Sequence, residues 1–186
     1  MMERISDHVW KIKGNCNIYF LDLDEKIIID TGNRSDADNI KEELSNVIDP
    51  DLIDKVIFTH LHYDHIGNFD LFRFATFHAS AEEIGDFKEN PLAAILRPDI
   101  VEEFDLEIKE IPQINKLTII STPGHTRGSI SIWYEEEKIL FSGDTIFANG
   151  SYGRTDLPTS VPEELEKSIS KLKEYKYEIL CPGHDY

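Results

Sequence analysis

The most chemically loaded stretch of the chain is THLHYDHIG, residues 59–67, where three histidines and one aspartate fall within six positions. The whole sequence has only seven histidines. His60 and His62 stand at i and i+2, so in an extended segment both imidazoles point the same way. Asp64 and His65 come after the chain turns and can serve a second point a few ångströms away. Neutral imidazole and carboxylate form a donor set for Zn²⁺ first, and also for Fe or Mn. Three further clusters carry the same side chains: His125 in STPGHT, Asp144 in SGDT and His184 in PGHD. Asp144 has two carboxylate oxygens and could bridge two ions. Two such ions, about 3.5–4 Å apart, would share a hydroxide, lower its pKa and polarise a substrate carbonyl. His8 and His78 have no partner at a useful spacing and read as ordinary surface or partly buried side chains.

Something must bring these clusters together, and the flanking residues supply it. Each cluster follows a short apolar run: KVIFT, LTII, KILF and EIL. Strand ends along one edge of a sheet can converge on one point, and that edge is where α/β proteins build sites. NIYFLDLD and KIIIDTG also read as strands, separated by a polar turn at Asp24 and Glu25. Asp30, Thr31 and Gly32 are expected to make a tight turn and helix entry, with no part in catalysis. SDADNIKEELSNVI has apolar residues at helical spacing, with Ser35 as the expected N-cap. FRFATF reads as a strand, HASAEEIGDF as a helix, and residues 88–111 as an irregular excursion broken by Pro91 and Pro98. VPEELEKSISKLKEY reads as an amphipathic helix with Pro162 in its first turn. Strands and helices alternate in both halves, which predicts a mixed α/β fold. Without repeats or a Gly/Ser linker, a single domain over residues 1–186 is expected.

Composition narrows the function classes. Hydrophobic residues make up 40% of the 186, enough for a packed core, and the net charge is −17. Such an acidic surface repels phosphate backbones, so nucleic acid is not an expected partner. No apolar run reaches the ~18 residues of a membrane helix, and the first residues lack a signal-type apolar region. The expectation is a cytoplasmic protein without membrane attachment, a monomer or homodimer. Cys16 and Cys181 are expected to be unpaired structural thiols.

On HLHYDH (60–65), TPGHT, SGDT, PGHD and the DTG at 30–32, the sequence resembles the metallo-β-lactamase fold superfamily across essentially its whole length. The resemblance implies a four-layer αββα sandwich with metals at one edge of two sheets. It also implies a division of labour: His60, His62 and His125 for one metal, Asp64, His65 and His184 for another, with Asp144 bridging. An aspartate at 144 differs from the lactamases that place a cysteine there. GDTIFANGSYGRTDLP (143–158) is similar to the glyoxalase II group, in a short form without that group's C-terminal glutathione-binding helical domain. Arg154-Thr155-Asp156 is also similar to the persulfide dioxygenases.

The resemblance implies a binuclear hydrolase of small-molecule thioesters, using two divalent metal ions. Attack by a bridging hydroxide would expel a thiolate, with Asp64 and Asp144 orienting the hydroxide. The alternative is a one-iron persulfide dioxygenase. Two residues are candidates for substrate binding: Tyr63, which could reach the cleft, and Arg154, which could pair with an anionic group or lock its own loop through Asp156.

Overall fold

The computed structural model describes residues 2–186. The first sheet contains β1 (Glu3–Arg4), β2 (Val9–Ile12), β3 (Ile18–Asp22), β4 (Lys26–Ile29), β5 (Lys55–Ile57), β6 (Thr76–Ala79) and β7 (Ile108–Glu110). They lie side by side in chain order, antiparallel from β1 to β4 and parallel from β4 to β7. The second sheet contains β8 (Leu117–Ser121), β9 (Ile130–Tyr134), β10 (Ile139–Gly143) and β11 (Ile179–Pro182), in the order β11-β10-β9-β8. The helices are α1 (Ala37–Ser45), α2 (Tyr63–Ile66), α3 (Ala81–Glu89), α4 (Pro91–Ile95), α5 (Pro98–Glu103) and α6 (Pro162–Leu172).

The strand period of two builds four layers. On β3, Ile18 and Phe20 face the helices, in a core shared with Ile40 and Leu44 of α1. Tyr19 and Leu21, between them in sequence, face the other sheet. Ile28 and its neighbours Ile27 and Ile29 divide in the same way on β4. The second sheet repeats the device. Ile130, Ile132, Ile139 and Phe141 fill the space between the sheets, while Trp133 and Leu140 pack outward with Leu172 of α6. An αββα sandwich follows, as the resemblance implied.

Three local expectations need correction. Ser35 does not cap α1; it lies in a 3₁₀ turn capped by the Asn33 side chain, and α1 begins two residues later. The FRFATF strand starts only at Thr76, because Phe69–Leu71 forms a 3₁₀ turn and Phe72 is buried beneath it. Residues 88–111 are not irregular: they hold the end of α3, then α4, α5 and β7. Pro91 and Pro98, read as breaks, sit in the first turns of α4 and α5, where proline's fixed φ and missing N–H do no harm. Cys16 and Cys181 are buried and unpaired, as expected. No helix among the described residues is long and apolar enough to cross a membrane.

Candidate metal centre

The clusters converge where the ends of β4 and β5 meet the ends of β8, β10 and β11. The Ile130 N–H donates to Thr59 O at 3.0 Å and Asn17 N–H to Gly183 O at 2.7 Å, tying the two sheets together along this edge. Gly183 shows how close the approach is. A Cβ there would lie 2.3 Å from Asp144 Oδ1 and 2.8 Å from His65 Cε1, so the PGHD turn can lie against the site only with glycine at that position.

Five of the seven histidines gather here, in two groups. His60, His62 and His125 are all buried, with ring nitrogens facing one another: His125 Nε2 is 3.2 Å from His60 Nε2 and 2.9 Å from His62 Nδ1. Asp64, His65 and His184 form the second group, with His184 Nε2 3.5 Å from Asp64 Oδ2. Asp144 stands between them. Its Oδ1 is 3.4 Å from His65 Nε2, and its Oδ2 is 3.5 Å from both His125 Nε2 and His184 Nε2. The geometry thus brings together all seven residues singled out in the sequence, with Asp144 reaching both groups.

The donor set fits divalent metal ions. His65 Nε2 and Asp144 Oδ1 are buried without a hydrogen-bond partner, although buried polar atoms are normally satisfied. Each group offers one ligand atom per residue, and these atoms lie within 4.8 Å of one another, close enough to surround one ion. The far nitrogens of His125 and His184 are tethered, as ligating histidines commonly are, while His62 Nε2 is buried without a partner. His125 Nδ1 donates to Arg154 O at 2.6 Å, and His184 Nδ1 to Asn15 O at 2.6 Å. Each tether keeps the proton on Nδ1 and leaves the Nε2 lone pair facing the site.

Electrostatics separate the groups. Burial, reinforced by neighbouring imidazoles, holds His60 and His62 well below the ordinary histidine range, and burial also lowers His125. All three therefore present neutral lone pairs at pH 7. Burial would push Asp144 up, but His65 and His184 outweigh it and hold the carboxyl well below its usual range. For His65 and His184 burial pulls down and is outweighed, so both rise. The Asp144 carboxylate acts on both, and Asp30 adds to the rise of His65. Cys16 also faces His65, but burial pushes its thiol up to about 12, so it is neutral at pH 7.

Asp30 is the residue whose role the sequence concealed. It was expected to shape a turn; it also holds the site. Its Oδ2 accepts from His65 Nδ1 at 2.8 Å and from Thr59 Oγ1 at 2.8 Å, and its Oδ1 accepts from Thr59 N–H at 2.8 Å. Thr59 Oγ1 in turn lies 3.2 Å from His60 Nδ1. Asp30 adopts φ 58°, a left-handed conformation that aspartate tolerates and that these bonds maintain. Cys16 Sγ lies 3.3 Å from the same His65 nitrogen. Cys16 and Asp30 thus both contact the Nδ1 side of the His65 ring, leaving its Nε2 turned toward Asp144.

An open cleft of about 460 Å³ lies over both groups, walled by Tyr63, Leu96, Phe147, Tyr152, Arg154 and Tyr186. Tyr63 and Arg154 therefore both border it. The Arg154 guanidinium grips Asp156 with two 2.9 Å bonds, the loop-locking arrangement, while its backbone carbonyl steadies His125. The Arg97 guanidinium covers the Tyr63 ring at 5.1 Å and binds Asp99. The Tyr186 ring stacks on His184 at 5.3 Å and meets the edge of Phe147 at 5.0 Å. His8 lies on the surface, and His78 bonds Thr76 and the Glu110 carbonyl, both away from the site.

A family profile described as the Metallo-beta-lactamase superfamily matches residues 12–184. A probable metallo-hydrolase of Methanocaldococcus jannaschii is 37% identical, the match covering 95% of this chain and 92% of that protein. A beta-lactamase-like protein 2 homolog of Caenorhabditis elegans is 30% identical over 98% of this chain, which spans 63% of that protein. A hydroxyacylglutathione hydrolase of Bartonella quintana is 31% identical over 70% of this chain and 48% of its own length. The chain thus spans about half the length of the hydroxyacylglutathione hydrolase it matches. Among solved structures, the BLEG-1 B3 metallo-beta-lactamase shares the fold with TM-score 0.67 at 26% identity, covering 92% of this chain and 87% of that one. The flavodiiron protein of Giardia intestinalis shares it with TM-score 0.74 at 15% identity, covering 98% and 54%.

Proposed function

We propose, for a chain that belongs to the metallo-beta-lactamase superfamily, that it is a metal-dependent hydrolase acting on a small-molecule thioester. The observation that carries the reading is the pair of ligand groups, linked by Asp144, at the floor of an open cleft. His60, His62 and His125 would hold one divalent ion and Asp64, His65 and His184 the other, with Asp144 shared between them. Bound there, such ions supply an activated water and an electrophile for a carbonyl.

The protein's own side chains do the rest. Asp64 and Asp144 keep carboxylate oxygens at the floor of the cleft, where they would orient the attacking water by accepting its hydrogen bond. The Phe147–Tyr186 wall seals one side of His184 with rings. A thiolate leaving group suits a cleft without a dedicated acid, because a thiol is acidic enough, near pKa 8.5, to depart unprotonated. Tyr63 and Arg154 would contact the substrate from the rim. The net charge of −17 supports a small-molecule substrate over nucleic acid.

The test is metal quantification on the purified protein, followed by thioester hydrolysis with and without chelator. Two ions per chain and chelator-sensitive hydrolysis are expected. A nitrogen–oxygen donor set without cysteine also accepts iron. One iron per chain, with O₂ consumed on a persulfide, would replace the hydrolase reading with an oxidoreductase one.

A further inference from the structure

Glu83 is fully buried on α3, yet it belongs to neither ligand group. It stands three residues after Ser80, whose hydroxyl accepts from Glu83 N–H and caps the helix. In a capping box the glutamate would turn back toward the serine. Here the carboxylate reaches across the molecule instead. Its Oε2 accepts from Leu61 N–H at 2.9 Å, and its Oε1 accepts from the Thr126 hydroxyl. Leu61 lies between His60 and His62, and Thr126 directly follows His125. One side chain thus grips both loops that carry the three-histidine group. The rest of the helix start supports the grip. Ser80 Oγ donates to Gly128 O at 2.7 Å, and a Cβ on Gly128 would fall 2.5 Å from Glu83 N, so the second loop fits against α3 only through glycine. Asp64, His65 and His184 receive no such support; Asp30 and Asn15 tether their rings instead.

We infer that Glu83 is a positioning residue for the His60, His62 and His125 group, setting the separation of its two loops. This rests on the reading that the group holds a divalent ion. Burying a carboxylate is costly unless its lone pairs are satisfied, and both oxygens are spent on these two loops. Replacing it with a shorter side chain frees the loops from each other and lets His125 drift from its partners. Such supporting partners typically contribute 10–100-fold in metal affinity.

The inference is tested by titrating metal-free full-length chain with Zn²⁺ in two backgrounds. His184→Ala leaves the three-histidine group to report, and His125→Ala leaves the other. Glu83→Ala is expected to weaken Zn²⁺ about 10–100-fold in the first background and leave the second unchanged. Glu83→Gln can still accept from Leu61 N–H and donate to the Thr126 oxygen, so it should restore most of the affinity. Should Glu83→Ala fail to fold, Glu83→Asp keeps the charge but cannot span both loops, and should show the same selectivity. Equal weakening in both backgrounds, or none in the first, overturns the positioning role. If the His184→Ala background binds no Zn²⁺ even with Glu83 intact, the metal assignment of the trio falls and this inference falls with it.

Discussion

The two ligand groups share Asp144 but are built on different principles. The group of His60, His62 and His125 is all nitrogen and neutral, its protonation suppressed by burial. Its geometry depends on backbone and helix contacts, through the Arg154 carbonyl and Glu83. The group of Asp64, His65 and His184 is mixed and charged, and the Asp144 carboxylate raises both of its histidines. The carboxylates around this group favour protonated imidazole, whereas burial disfavours it in the first. Metal binding to the second should release more protons than binding to the first.

The comparison breaks most completely at the residue the groups share. Asp144→Ala should cost more than the 10–100-fold of a supporting partner, and should remove metal and hydrolysis together. Metal analysis beside a turnover assay checks this; a fully metallated and active variant would remove Asp144 from the site. Asp30→Asn should sharpen the contrast. Asparagine tolerates the same left-handed backbone, so the change tests the charge behind His65. It should weaken the Asp64, His65 and His184 site about 10–100-fold, and the trio less, because Asp30 reaches His60 only through Thr59.

A smaller effect concerns pH. Burial pushes the Glu83 carboxyl up to about 7. Between about pH 4.5 and 7 the folded protein therefore binds a proton that the unfolded chain has released, and stability falls as pH rises through that window. Glu83→Gln removes this dependence. Measured in chelator, wild type should lose stability relative to the variant by on the order of 3 kcal/mol from pH 4.5 to above 7. Urea midpoints at both ends of the range check it; parallel pH profiles would refute it. The smallest effect is expected at the rim. Arg154 is exposed and already paired with Asp156, so Arg154→Ala should leave the melting temperature unchanged. Its reading as a substrate contact requires KM to rise while kcat holds.

The candidate ligands were legible because they break a pattern: histidine and aspartate directly follow short apolar runs that read as strands. The residues alone predicted only a mixed α/β fold; the four layers came from the resemblance, and the split between Phe20 and Tyr19 shows how alternating side chains build them. Asp30 was not, because a turn explains DTG locally, and its bond to His65 crosses 35 positions of sequence. Glu83 hid in the same way, since serine followed by glutamate three residues later is a helix-start pattern whether or not the glutamate reaches elsewhere. Residues 88–111 misled because proline ends a helix and opens one with equal ease.

The seam joining the two sheets has a consequence for the order in which the molecule is made. His60, His62, Asp64 and His65 are synthesised with the first sheet, and His125, Asp144 and His184 with the second. Neither ligand group is complete in either half. A nascent chain that has emerged only through β7 carries two of the three residues of each group, so a complete set of donors would exist only once the second sheet docks. An ion held by both halves would clamp the two sheets, and its binding free energy would add to the stability of the finished sandwich.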